Sequence, residues 1–123
     1  TREEKAHREQ KMQDGLKLAV KVPYQTAQAS FSAMQAAWTV AQHGNERSIT
    51  DAAVGAQTGF AGVRGGVWNV LINLKDITDP VFVREMRGQC ETLLREAQTL
   101  LDRVTAHVDR RLGELIEGKR GDA

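Results

Sequence analysis

The sequence predicts an all-α protein, an antiparallel bundle of about four helices built around one long small-residue helix. Three observations predict it. Apolar residues recur at spacings of three and four almost throughout. No run alternates apolar and polar residues as a half-buried strand does. Proline occurs only at positions 23 and 80, where it can open helices rather than interrupt them.

The first predicted helix runs from about Arg2 to Lys21. Its opening turns are mostly charged and are expected to project into solvent or lean on another chain. Met12, Leu16, Ala19 and Val20 make a narrow apolar stripe late in it. Val22-Pro23 is read as a break or kink, because proline lacks a backbone donor and disfavours helical geometry in the residue before it. The second helix then reaches about Gln42. Tyr24, Ala27, Phe31, Met34, Trp38 and Ala41 give it an a/d-type seam facing a partner helix. Gly44 is read as a left-handed C-cap.

Ser48 and Asp51 read as a capping box, with Ser48 as N-cap and Asp51 at N3. From Ala52 to Leu74 the sequence is nearly all small or apolar, which predicts a central helix buried on every side. Arg64, Asn69, Asn73 and Gln57 argue against a membrane span. Gly55, Gly59, Gly62 and Gly66 share one face, and each costs about 1 kcal/mol of helix propensity relative to Ala. Four on one face predict a very close helix approach, read here as part of a subunit contact in a homo-oligomer. Asp79 and Pro80 open the last helix as N-cap and first helical residue. It is expected to run to about Glu117, with a polar, frayed tail from Gly118 to Ala123.

The whole is expected to be one helical domain over residues 1–123. A hydrophobic content of 41% against 27% charged residues is that of a folded protein. Seventeen Lys and Arg against sixteen Asp and Glu leave a net charge of +1, too little for a broad nucleic-acid footprint. One cysteine excludes an internal disulfide framework, and no Cys/His cluster suggests a metal. Cys90 is read as core packing, and His7, His43 and His107 as surface residues. No secretory leader is visible, so a cytoplasmic location is the default. Thr1 in place of Met is what a processed or excised piece shows. Arg120-Gly121-Asp122 is read as a chance tripeptide.

The candidate chemistry lies in polar residues on or beside the small-residue helix. Asn69 and Asn73 are four apart and share a face. Buried amides there must find partners, either across to another helix or on the edge of a polar heterocycle. Arg64 points elsewhere, to pair with a ligand carboxylate or to reach solvent. Asp51 is first a capping carboxylate, and next to Asn45 it is also a candidate proton carrier.

These residues fall in a pattern. Gly44-Asn45, Thr50-Asp51 and the run Asn69-Val70-Leu71-Ile72-Asn73, with Asp14-Gly15-Leu16-Lys17 and Val22-Pro23 before them, resemble the second half of the cyclodeaminase/cyclohydrolase family. The resemblance covers roughly residues 1–115. Members carry an additional glycine-rich first half, so a separate chain or segment supplying that half is an expected partner. The resemblance implies one-carbon folate chemistry: formiminotetrahydrofolate cyclodeaminase or methenyltetrahydrofolate cyclohydrolase activity, with a tetrahydrofolate derivative as substrate and no permanently bound cofactor. On this reading Asp51 is the candidate catalytic residue, as proton carrier or orienter, and Asn45, Asn69 and Asn73 bind the pterin or the reacting centre; Arg64, by its place on the helix, is a further candidate substrate-binding residue. The alternative is a non-catalytic helical module that uses the same scaffold for oligomerisation or interaction. No nucleic-acid or membrane partner is expected.

Overall fold

The computed structural model describes residues 1–121, with side chains through Gly118. It contains three long helices: α1 (Arg2–His43), α2 (Ser48–Leu74) and α3 (Pro80–Gly121). They form an up-down-up bundle. The α1–α2 contact pairs Ala37 with Gly55, Met34 with Gly59 and Pro23 with Gly66, so the two helices are antiparallel. Lys17 meets Asp79 at one end of α3 and Trp38 meets His107 near the other, so α1 and α3 run parallel.

The expected break at Pro23 does not occur, and two of the four predicted helices are one. An interior proline costs about 3 kcal/mol through its missing donor and its ring. Here the helix is held on both sides of the proline. Val20 and Ala27 are fully buried against the other helices, while Ala19, whose carbonyl loses its partner, sits at an exposed position. The charged opening turns project as expected: residues 1–12 are all exposed, Met12 included. Thr1 caps them, accepting from the Glu4 backbone N–H at 3.1 Å in a capping box.

The small-residue helix departs from its expected surroundings. One face of α2 is buried through Ile49, Ala52, Ala56, Val63, Val67, Val70 and Leu74, but Val54, Trp68 and Ile72 are about 60% exposed. A three-helix bundle encloses only the two sides of α2 that meet α1 and α3. The glycine face is spent inside the chain rather than between subunits. A methyl group on Gly66 would stand 2.7 Å from the Pro23 carbonyl oxygen and 2.9 Å from the Ala27 Cβ. One on Gly59 would meet the Met34 side chain at 2.7 Å, and one on Gly62 would run into the Ser30 side chain. Gly55 makes only ordinary contact, 3.8 Å from Ala37.

The helix ends also differ in detail. Gly44 is extended (φ −75°, ψ 168°), not left-handed. Its need for glycine is steric, since a Cβ there would sit 2.5 Å from the Val40 carbonyl oxygen. Ser48 is the first residue of α2, not its N-cap. The capping oxygen belongs to Asn45, whose Oδ1 accepts from the backbone N–H groups of Arg47 (3.0 Å) and Ser48 (3.1 Å) and from the Ser48 hydroxyl (3.0 Å). Asn45 wins because the turn after Gly44 points its short side chain back at those donors. Asp79 behaves as expected: its Oδ1 accepts from the N–H groups of Val81 and Phe82, both at 3.1 Å. α3 outlasts its expected end at Glu117 and remains helical to Gly121, through the first part of the tail expected to fray; Asp122 and Ala123, and with them the end of the tripeptide, lie outside the described residues.

Two clamps tie α3 to α1. At the α2–α3 loop, the Gln13 amide donates to the Asp76 carbonyl (3.1 Å) and accepts from the Thr78 N–H (3.0 Å). Beside it, Lys17 Nζ pairs with Asp79 Oδ2 at 2.9 Å and lies over the Phe82 ring. At the far end His107, expected at the surface, is half-buried. Its Nε2–H donates to the Ala41 carbonyl (2.9 Å), Arg110 donates to its Nδ1 (3.2 Å), and its ring meets Trp38 edge-on at 5.4 Å. Cys90 is core, as expected, and burial pushes its thiol pKa up.

Two outcomes follow for stability. Gly66→Ala should cost about 1–3 kcal/mol, because the opposing atoms are backbone and a core alanine that cannot yield. Gly65→Ala, with open space around it, should gain about 0.5–1 kcal/mol of helix propensity. Urea denaturation of the pair checks the close approach; equal effects contradict it. The Lys17 ammonium and the Phe82 N–H hold the Asp79 carboxyl below its ordinary 3.8. A depressed folded pKa gives stability that is present above the unfolded value and lost as pH falls through the folded one. The stability difference between the native chain and Asp79→Asn should therefore be constant above about pH 5 and shrink on acidification below 3.8.

Candidate functional site

The candidate residues sort into two ends of α2 and one separate flank. Asn69 and Asn73, on the last turns of α2, do come together. They line a groove of about 550 Å³ with Gly65 and Gly66 and, from α1, Ala19, Val22, Pro23 and Thr26. The groove exists because glycines bring α2 onto α1 just below it. The Asn73 amide donates to the Asn69 carbonyl at 2.8 Å, along its own helix. Thr26 likewise donates to the Val22 carbonyl at 3.2 Å. Neither asparagine is buried: Asn69 is exposed and Asn73 half-buried, against the expectation of a wholly buried helix. No hydrogen bond from either side chain across to α1 occurs among the described residues; both residues line the groove, and the Asn69 amide and the Asn73 Oδ1 have no protein partner among the described residues.

Asn45 and Asp51 sit at the other end, in the loop and first turn that begin α2. Asp51 is exposed, and Asn45 has its oxygen committed to three donors, leaving only its amide nitrogen for a ligand. Eighteen residues separate Asp51 from Asn69. At 1.5 Å per residue that is about 27 Å, and at 3.6 residues per turn it is about five whole turns. The two side chains therefore share one face of α2 but cannot touch the same heterocycle within one chain.

Arg64 belongs to neither end. It lies five residues before Asn69, about 140° around the helix. Its guanidinium is held between two aromatic rings one turn away on each side, 5.8 Å from Phe60 and 5.7 Å from Trp68. Such stacking is a common way for arginine to cover apolar surface. Its charge is thus directed to the outer flank of α2.

A second groove escaped the sequence reading. Between α1 and α3, Phe31, Gln35 and Trp38 face Arg95, Glu96 and Arg103 around a volume of about 540 Å³. Arg103 lies over the Trp38 ring at 5.9 Å. Phe31 and Trp38 were legible as a seam, but the arginines that meet them come from a helix more than fifty residues away. Only the parallel register of α1 and α3 aligns them.

The α1–α2 hairpin, its glycine contact and the asparagine groove fall within a stretch also found in proteins of known kind. The family model described as formiminotransferase-cyclodeaminase matches residues 1–92. The formimidoyltransferase-cyclodeaminase of Rattus norvegicus is 41% identical over 99 residues, 80% of this chain and 18% of that protein. The same-named protein of Sus scrofa is 40% identical over 110 residues, 86% of this chain and 20% of its own length. A methenyltetrahydrofolate cyclohydrolase from Methylorubrum extorquens is 38% identical over 104 residues, 85% of this chain and 50% of that protein. The chain thus spans about a fifth of the bifunctional relatives and half of the cyclohydrolase. With α1, α2 and the opening of α3 inside the matched region, the chain belongs to the formiminotransferase-cyclodeaminase family.

Proposed function

We propose that the chain serves one-carbon folate metabolism as half of a catalytic domain acting on a tetrahydrofolate derivative. The observation that carries this reading is the match to relatives named for both reactions over most of the chain. Cyclodeamination closes the N10 nitrogen onto a formimino carbon held at N5 and expels ammonia. Cyclohydrolysis adds water to the methenyl carbon between the same two nitrogens and opens the ring to the 10-formyl product. Each passes through a tetrahedral carbon flanked by nitrogens, so each needs positioning and one group that moves a proton.

The geometry supports a division of labour. Asn69 and Asn73 offer an amide and a carbonyl oxygen on an open groove, the donor–acceptor edge that a pterin-like heterocycle pairs with. Asp51 is the carboxylate on the same face, about 27 Å away by helical rise. A site built on the asparagines therefore receives its proton carrier from outside this helix pair. If Asp51 itself carries the proton, the reacting carbon lies at the Asn45 end. Arg64 suits neither place and is assigned to a contact on the flank. In this reading the domain holds no permanent cofactor, works as a homo-oligomer in the cytoplasm, and needs the half that the relatives carry in addition.

The second reading, a non-catalytic interaction module, is favoured by the exposed apolar side of α2, where Val54, Trp68 and Ile72 lie open. Titration with a reduced folate separates the two, since only the first requires saturable binding.

The expected outcome is poor turnover by residues 1–123 alone and higher turnover once the half that the relatives carry in addition is present. In the enzyme with both halves, Asn69→Ala should raise KM with a smaller change in kcat, because it removes a binding contact. Asp51→Asn should lower kcat about 10²–10⁴-fold if it moves the proton. Because the Asp51 carboxylate makes no helix-capping bond among the described residues, the melting temperature should hold. Unchanged kinetics in Asp51→Asn would move the acid/base group to the other half. Loss of no binding in Asn69→Ala would empty the groove of its role.

A further inference from the structure

Over residues 22–42 of α1 and 52–74 of α2, the side of the pair that α3 does not cover is almost free of charge, the Arg64 guanidinium over Trp68 being the exception. From Val22 to Gln42, 21 residues of α1 contain no Lys, Arg, Asp, Glu or His. From Ala52 to Leu74, α2 contains a single charge, Arg64, and that is folded onto Phe60 and Trp68. α3 is unlike both: Arg84, Glu85, Arg95, Glu96, Asp102 and Arg103 are all exposed on it. A helix adapted to water carries such residues on its outer face. The exposed sides of α1 from Val22 to Gln42 and of α2 from Ala52 on do not, Arg64 apart.

The uncharged residues are also ordered. On α1, Val22, Thr26, Ala29, Ala33, Ala36 and Val40 are exposed and spaced 4, 3, 4, 3 and 4. On α2, Val54, Thr58, Ala61, Gly65, Trp68 and Ile72 repeat the same spacing; all are exposed save Gly65, which is half-buried. Each is a second a/d-type seam, beside the seam the helix already uses inside the bundle. Val22 and Thr26 from one stripe and Gly65 from the other line the same groove, so the two stripes flank one surface. Each extends about 27 Å. The residues are small where a partner backbone must come close, at Ala29, Ala33, Ala61 and Gly65. A contiguous apolar surface of this kind marks a protein contact.

We infer that this surface is the docking face for the other half of the family domain, received as helices that lie along the two stripes. The inference rests on the family reading above and says which surface completes the site. Length argues for that occupant. The matched 104 residues are half of the Methylorubrum extorquens cyclohydrolase, so about as much chain again lies outside the match, enough for helices of 18 or more residues. Chemistry argues for it too. The occupant presents an uncharged, small-residue and aliphatic face, because any charge placed against these stripes would be desolvated without a partner. Asn69 opens at the edge of the same surface, so the docked helices also close the asparagine groove.

The test uses this chain and, as a separate polypeptide, the half of the Methylorubrum extorquens cyclohydrolase outside the matched stretch. Sedimentation should give a one-to-one complex of the two. Ala33→Arg on one stripe and Ala61→Glu on the other should each weaken it at least tenfold, while Ala106→Arg, exposed on α3, should leave it unchanged. All three positions are exposed, so circular dichroism and melting temperature should match the native chain and exclude misfolding as the cause. Absence of a complex, or a complex indifferent to Ala33→Arg and Ala61→Glu, overturns the inference. A stable dimer of this chain alone that both substitutions dissolve also overturns it, giving the surface to a second copy. Turnover of a reduced folate is read on the same samples. A specific complex that binds no folate keeps the docking face and removes the folate function, so the two can fail separately.

Discussion

The rest of the structure depends on how closely α1 and α2 approach. Gly59, Gly62 and Gly66 remove the side chains that would hold the helices apart, and Ala27, Ser30 and the Pro23 carbonyl fill the space. Glycines inside a helix lower its intrinsic stability by about 1 kcal/mol each, so α2 is not a good helix by propensity. It is stable because the contact those glycines allow buries Val63, Val67 and Val70 along with Ala27 and Met34. The same contact keeps α1 continuous through an interior proline. A weak helix and an interrupted helix are each stabilised by the packing of one on the other.

That approach also explains where polar chemistry can sit. Where the glycines end, Asn69 and Asn73 stand at the mouth of a groove whose floor is Gly66 against Pro23. The groove is open because the contact beneath it is tight. At the other end of α2, polar groups are used differently. Asn45 spends its oxygen on the start of the helix, which fixes the α1–α2 turn and leaves Asp51 exposed beside it. α3 lines no part of the asparagine groove, and its last turns lie near Glu46 and Arg47 of the α1–α2 loop. It is clamped to α1 at Lys17–Asp79 and at Ala41–His107, and it faces water with charges of both signs. The molecule has one side finished for solvent and one side finished for protein.

The sequence by itself determined that the protein is all-helical, because a spacing of three and four without alternation has no other outcome in a chain this short of prolines. It determined the start of α3, since Asp79 before Pro80 is a local device acting on the next three residues. It determined that the glycine face must meet something closely, and the motif residues led to the family. The tertiary structure decided the matters that depend on distant neighbours. Pro23 reads as a break until α2 packs across it. Ser48 reads as a cap until the turn after Gly44 aims Asn45 at the same donors. The small-residue helix reads as wholly buried because periodicity reports that a face is apolar, not that anything in this chain covers it. Asn45 and Asp51 read as one site with Asn69 and Asn73 only while the helical rise between them is left uncounted. A straight helix sets Asp51 and Asn69 about 27 Å apart, and only the packed bundle shows which of them opens on a groove.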